Sequence, residues 1–367
     1  MYNDDKRVVI TLDAGGTNFV FNAISGNKSI INPITKPSNS DNLERCLETL
    51  VEGFTEVSSQ LNCPPAAISF AFPGPADYPN GIIGGYLPNF PSFRNGVALG
   101  PYLEYKFGIP VFINNDADLF VYGEALAGVL PHINEKLLQS GSSKLYKNLV
   151  GFTLGTGFGF GFTVNGNMHI GDNSCSEIFC LPHSKHHDII VEEGVSVRAV
   201  KRLYGEYSGV ASHQLEPYDI FLVAEGKKEG DSVAACRAFE ELGEIAGEAI
   251  GTAVTLIDGI VVIGGGLIAA HKYIMPSVLK VLRSTINTLN GDTLNRLQFN
   301  VYDLDNPEDF FLFAKGDSRK INIYGTDKSV AYDPEKRIGV TYSKIGASNA
   351  VALGAYAFAL NEMDKKK

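Results

Sequence analysis

The sequence predicts an α/β protein built from two related halves, and three observations predict it. The β-branched run Val8-Val9-Ile10-Thr11-Leu12 feeds Asp13-Ala14-Gly15-Gly16-Thr17-Asn18, a strand entering a tight turn where backbone N–H groups can close on a phosphate without Cβ interference. Phe152-Thr153-Leu154-Gly155-Thr156-Gly157-Phe158-Gly159 repeats the theme far downstream, which suggests two halves gripping one nucleotide. Between them the order is strand, hairpin, helix, strand, an α/β order.

The elements follow one by one. Phe19-Val20-Phe21-Asn22-Ala23-Ile24 before Ser25-Gly26-Asn27 continues the first turn as a β-hairpin. Residues 43–61 carry apolar side chains at helical spacing, and Ala67-Ile68-Ser69-Phe70-Ala71-Phe72 is a buried strand stopped by Pro73-Gly74-Pro75. Ile109-Pro110-Val111-Phe112-Ile113 is a short strand ending in Asn114-Asn115-Asp116; open α/β sheets bind ligands at such carboxyl ends. A helix is expected over 117–128, and a polar segment over 129–148, helical around 133–138, reads as an insertion. A long helix over 232–256 leads to the strand Gly259-Ile260-Val261-Val262-Ile263, which runs into Gly264-Gly265-Gly266. Residues 300–342, rich in Asp, Lys and aromatic side chains, read as an inserted β-rich flap. The small-residue segment 345–355 reads as a helix suited to close packing.

Bulk properties narrow the function. Of 367 residues, 44% are hydrophobic and 20% charged, ordinary globular values, and the net charge of −10 argues against nucleic acid as a partner. Lys365-Lys366-Lys367 is the one basic run and reads as a solvated tail. The opening Met1-Tyr2-Asn3-Asp4-Asp5-Lys6-Arg7 is polar and no apolar run is long enough to span a bilayer, so a cytoplasmic location away from membranes is expected. Cys46, Cys63, Cys175, Cys180 and Cys236 are odd in number and scattered, as reduced thiols are.

Taken together and in order, these segments resemble the ROK family (repressors, uncharacterised reading frames and sugar kinases) of the actin-like ATPase superfamily, over most of the chain outside 129–148 and 306–342. The resemblance implies a two-lobed, ribonuclease H-like α/β fold with a cleft between lobes. One lobe would comprise 1–117 and 346–367, the other 118–345. It implies ATP binding by Asp13, Gly15, Gly16, Thr17 and Asn18, by Gly155, Thr156 and Gly157, and by Gly264, Gly265 and Gly266. It implies hexose binding by Pro73 and Gly74 of Pro73-Gly74-Pro75, by Asn89 of Pro88-Asn89, by Asn115 and Asp116 of Asn115-Asp116-Ala117, and by Glu177 and Glu192. A homodimer and Mg²⁺ are implied as well. Family regulators carry an N-terminal DNA-binding helix-turn-helix, for which the residues before the first strand leave no room.

The chain also departs from the family pattern. Cys180 stands where a His is usual, a weaker hydrogen-bonding group expected to alter sugar preference or weaken binding. The family's zinc loop is replaced by Leu181-Pro182-His183-Ser184-Lys185-His186-His187-Asp188. Cys180, His183, His186 and His187 are of zinc-binding type, but adjacent His186 and His187 do not readily face one ion, so the segment reads as a polar surface loop without zinc.

Phosphoryl transfer needs a phosphate cradle, a divalent cation and a base for the acceptor hydroxyl. Asp116 is the candidate base, with helix capping as its plain alternative. Asp13 is the candidate Mg²⁺ ligand, with turn formation as its alternative; Glu177 and Glu192 are sugar ligands or surface carboxylates. The expected activity is ATP-dependent phosphorylation of a hexose, at the 6-hydroxyl of glucose or a related aldose. The alternatives are a kinase of fructose or of an N-acetylhexosamine, and a catalytically weak sugar-binding or regulatory protein of the family without a DNA-binding domain.

Overall fold

The computed structural model describes residues 2–74, 76–210 and 215–365. Of the residues singled out above, Met1, Pro75, Lys366 and Lys367 lie outside them. The chain divides into two compact units, residues 1–129, 161–176 and 345–367 in the first and 130–160 and 177–344 in the second.

The first unit begins with β1 (Val9–Ala14), β2 (Asn18–Ser25), β3 (Lys28–Ser29) and β4 (Ile34–Pro37). Asp13 and Ala14 lie on β1, opposite Val20 and Phe19, so the glycine turn starts two residues later than the apolar run suggests. Helix α1 (Leu43–Ser59) is capped by the Asn42 side chain and buries Cys46, Leu50, Phe54 and Val57 along one face. After β5 (Ala67–Ala71) come the short ribbon β6 (Ala76–Asp77) and β7 (Ile82–Ile83), helix α2 (Leu99–Phe107), β8 (Val111–Asn114) and α3 (Asp116–Leu126). The sheet runs β3-β2-β1-β5-β8, an antiparallel hairpin followed by parallel strands. A phenylalanine-rich core of Phe19, Phe21, Phe54, Phe70, Phe72, Phe90 and Phe93 covers one face.

In the second unit α4 (Val129–Gln139) precedes β9 (Leu149–Leu154) and β10 (Phe158–Val164), and β10 runs on into the first unit to pair with β11 (Asn167–His169). Helices α5 (Val197–Ser208), α6 (Pro217–Ala224) and α7 (Ser232–Ile257) lead to β12 (Ile260–Gly264) and α8 (His271–Leu282). A hairpin of β13 (Thr285–Asn287) and β14 (Thr293–Asn295), then β15 (Asn300–Asp303), α9 (Pro307–Lys315), a hairpin of β16 (Arg319–Asn322) and β17 (Ser329–Tyr332), and β18 (Arg337–Tyr342) complete it. The sheet order β10-β9-β12-β18-β15 repeats the plan of the first: one hairpin, then parallel neighbours.

The expected flap over 300–342 is corrected here. Residues 337–342 form β18, buried between β12 and β15, and 307–315 are helical; only the wholly exposed β16–β17 hairpin stands apart from the sheet. The alternation of charge and aromatics marks that hairpin, whereas Ile338-Gly339-Val340 is an interior parallel strand hidden in the same composition.

The chain ends in α10 (Ala347–Lys365), which packs along α3 in the first unit. Small residues let the backbones touch: a Cβ on Gly354 would overlap the Leu119 carbonyl oxygen, and one on Gly123 the Ala350 carbonyl oxygen. Thus α3, which the sequence assigns to the second lobe, sits in the first unit. No helix among the described residues is long and apolar enough to cross a membrane. Replacing Gly354 by Val wedges this contact apart, and a loss of about 1–3 kcal/mol is expected from the overpacking, read as a lower urea midpoint.

Candidate active site

In the first unit, parallel pairing aligns the carboxyl ends of three strands. Asp13 of β1 lies opposite Ala71 of β5, and Ala71 opposite Asn114 of β8. Chain segments leaving these ends therefore emerge side by side: Ala14 to Asn18, Phe72 to Gly74, and Asn115-Asp116.

The first turn is closed by a bond from the Gly15 N–H to the Asn18 carbonyl at 3.0 Å. Gly16 is held from behind, its carbonyl accepting the Ser40 hydroxyl at 3.0 Å and that of Ser38. Gly16 also abuts Asn89, since a Cβ there would lie 2.9 Å from the Asn89 Cβ. Pro73 and Gly74 follow β5, braced by the buried Tyr78, whose hydroxyl donates to the Phe72 carbonyl at 2.9 Å. Asn89, Pro73, Gly74, Asn115, Asp116 and Asp13 are thus all tied to one edge of this sheet or to the turn that leaves it.

The end of β8 separates two roles that the sequence left open. Asn115 is the N-cap of α3, its Oδ1 accepting the Ala117 N–H at 2.7 Å, and Asp116 is the first helical residue. Asp116 Oδ1 shares that N–H at 2.9 Å. The residue is exposed, yet the protein around its carboxylate desolvates it enough to raise its pKa above the ordinary carboxylate range. The Ala117 N–H and its own N–H oppose that rise, and the negative charge of Asp13 adds to it.

In the second unit, Gly155, Thr156 and Gly157 form the turn between β9 and β10. The Val197 N–H at the start of α5 donates to the Gly155 carbonyl at 2.8 Å. Glu192 reaches the same turn: its Oε2 accepts the Phe158 N–H at 3.1 Å. Arg198, which the sequence did not single out, binds here too. It donates through Nη2 to Glu192 at 3.1 Å and Glu193 at 2.9 Å, and through Nη1 to the Thr156 carbonyl at 3.4 Å. It lies in the first turn of α5, five and six residues past Glu193 and Glu192, and no local pattern in the sequence marks it.

Gly264 ends β12 and Gly265 presses on the end of β9, a Cβ there meeting the Leu154 backbone, with φ at +93°. The glycine triplet and the second turn are therefore neighbours. Glu177 lies two residues before Phe179, whose carbonyl accepts the Glu192 N–H at 3.3 Å. Cys180 is exposed.

The loop from 181 to 188 is not simply a polar surface loop. His183 is 1% exposed, while Lys185 reaches α7 to pair with Glu241 at 2.9 Å. No cluster of three or more His, Cys, Asp or Glu side chains among the described residues is arranged to hold a metal ion.

Two α/β units, each with a hairpin turn of glycines opening a sheet of parallel strands, define an actin-like ATPase fold of the sugar-kinase type. The chain belongs to the ROK family, whose model matches residues 9–302. A glucokinase from Parabacteroides distasonis is 55% identical, covers 98% of this chain and 99% of its own, and superposes with a TM-score of 0.91. The glucokinase of Thermotoga maritima is 32% identical over 167 residues, 45% of this chain and 47% of that protein, so the match spans about half of that relative. An N-acetyl-D-glucosamine kinase of Vibrio parahaemolyticus is 26% identical over 283 residues, 70% of this chain and 83% of that protein.

Gly265→Ala forces a Cβ into the Leu154 backbone at a positive φ. It is expected to cost about 1–3 kcal/mol and to raise the KM for ATP, measured by thermal melts and initial rates together.

Proposed function

We propose that the chain is an ATP-dependent hexose kinase that phosphorylates the 6-hydroxyl of glucose or a related aldose, with Asp116 as general base. The observation that carries this reading is the placement of Asp116: an exposed residue just past the carboxyl end of β8, abreast of a glycine-lined turn, and relieved of sole capping duty by Asn115. The 55% identical glucokinase supports glucose as acceptor. An N-acetylhexosamine is the second reading, supported by the Vibrio relative.

In this reading the first turn (Gly15, Gly16, Thr17, Asn18), the second (Gly155, Thr156, Gly157) and Gly264, Gly265 and Gly266 bind ATP through backbone N–H groups. Among the described residues the Gly16 and Thr17 N–H groups take no acceptor, which leaves them for phosphate oxygens. Pro73, Gly74, Asn89, Asn115, Glu177 and Glu192 hold the sugar, whose hydroxyls pair with planar amide and carboxylate groups. Asp116 takes the proton of the attacking hydroxyl as the alcohol oxygen bonds to the γ-phosphorus and ADP leaves. Asp13 offers an exposed carboxylate, the hard oxygen donor that suits Mg²⁺ alongside phosphate and water oxygens. Bound there, the ion would neutralise phosphate charge. A cytoplasmic homodimer accords with the family.

Asp116→Asn is expected to lower kcat by about 10²- to 10⁴-fold; turnover near wild type overturns the assignment. The charged form of Asp116 is disfavoured in the folded state, so its ionisation lowers stability as pH rises through the raised pKa. The Asn variant is therefore expected to melt at or above the wild-type temperature at neutral pH. The acid limb of kcat, where the base becomes protonated, is expected above the ordinary Asp value of 3.8. A panel of hexoses, N-acetylhexosamines and fructose in a coupled ADP-release assay identifies the acceptor; no ADP release with any of them refutes the kinase reading.

A further inference from the structure

Between Glu177 and Glu192 the chain makes a closed loop, and His183 is its one fully buried polar side chain among the described residues. The loop is tied across its base. Pro182 pairs with Ile190, the Leu181 carbonyl accepts the Val191 N–H at 2.7 Å, and the Phe179 carbonyl accepts the Glu192 N–H. His183 closes it from within: its N–H donates to the Ile189 carbonyl at 2.9 Å, and its ring Nδ1 accepts the N–H of Lys185 at 3.1 Å and of His186 at 3.2 Å.

Those two bonds require a bare Nδ1, so the ring proton sits on Nε2. Nε2 is buried with no hydrogen-bond partner. That edge of the ring lies over Gly194, where a Cβ would stand 2.5 Å from Nε2. Gly194 in turn donates its N–H to the Val191 carbonyl at 2.9 Å, closing the turn 191–193 that carries Glu192. The imidazole is thus the floor beneath the Glu192 turn.

We propose that His183 is a positioning residue for Glu192: its neutral ring, capping the loop through Nδ1 and filling the space over Gly194, holds Glu192 against the sugar, and a proton arriving on Nδ1 releases it. This rests on the assignment of Glu192 to the sugar made above.

A protonated Nδ1 donates and cannot accept, so the Lys185 and His186 N–H groups would lose their acceptor at once. The charged groups facing the ring are His186 and Lys185 on its own loop, Arg202 on α5 and Glu241 on α7. All but Glu241 oppose the proton, and Glu241 is already engaged by Lys185. Burial first, then His186 and Arg202, hold the ring's pKa below its ordinary value. A depressed histidine pKa places the loop's full contribution above that ordinary value of about 6.5, with loss as pH falls below it.

The test measures KM for glucose and kcat from about pH 6.5 downward, through the depressed pKa of the ring, in wild type and three variants. Wild type is expected to show a sugar KM that rises on the acid side more than kcat falls. His183→Asn keeps an acceptor oxygen where Nδ1 stood and does not titrate. Lacking the ring edge over Gly194, it is expected to show a sugar KM between those of wild type and the Ala variant at alkaline pH, and to lose the acid-side rise. His183→Ala loses both hydrogen bonds to Nδ1 and is expected to raise the sugar KM by about tenfold or more at every pH, with kcat little changed. An unchanged sugar KM in the Ala variant, or an acid-side rise that survives in the Asn variant, overturns the proposal; the Asn variant decides it should the Ala variant not fold. Glu192→Gln separates the two levels: a sugar KM that rises supports the assignment beneath, and one that does not move overturns that assignment and this proposal with it.

Discussion

Parallel pairing of β1, β5 and β8 is the constraint on which the first unit's chemistry depends. Neighbouring strands lie about 4.8 Å apart, so with Asp13, Ala71 and Asn114 abreast, a carboxylate, a proline-glycine corner and an amide-rich helix start fall within two strand spacings. A slip of one residue would turn every side chain of a strand to the opposite face. The buried phenylalanines on one face therefore fix the register, and the register places the polar ends. The second unit uses the same order of hairpin and parallel strands, which is why its glycine turn and glycine triplet meet through Leu154 and Gly265.

The electrostatics of the first unit follow from a division of labour between neighbours. A helix start needs its free N–H groups satisfied. Asn115 takes that task with a neutral side chain, so Asp116 keeps a carboxylate that burial by the surrounding protein, and then the nearby charge of Asp13, keep basic. In the second unit the opposite holds. Glu192 is claimed by a backbone N–H and by Arg198, and its charge organises the turn before any ligand arrives.

The parts legible in the sequence were those with a local signature. Asp13 to Asn18 and Gly155 to Gly157 announce themselves by β-branched runs broken by glycine, and 43–61 and 232–256 by apolar periodicity. What stayed hidden depends on partners distant in the chain. Arg198 looks like any helical surface cation until the acidic pair at 192 and 193 folds beside it. His183 reads as polar because burial of a lone imidazole depends on Gly194, eleven residues on, which no short window joins to it. Ile338-Gly339-Val340 was lost in the aromatic, acidic composition of the hairpin before it. The pairing of α3 with α10 is a contact between helices more than two hundred residues apart in sequence, and it moves the helix beginning at Asp116 into the unit of β1.

That last pairing bears on how the protein is made. As the chain leaves the ribosome, the strands of the first unit appear early, but the helix that covers α3 and leans on β1, β5 and β8 is translated only after the whole of the second unit. The second unit can close on contacts already synthesised, while the first waits with an apolar flank uncovered. The segment bearing Asp116 is thus among the last parts of the molecule to gain its full packing, and a nascent chain stalled before α10 is an aggregation hazard.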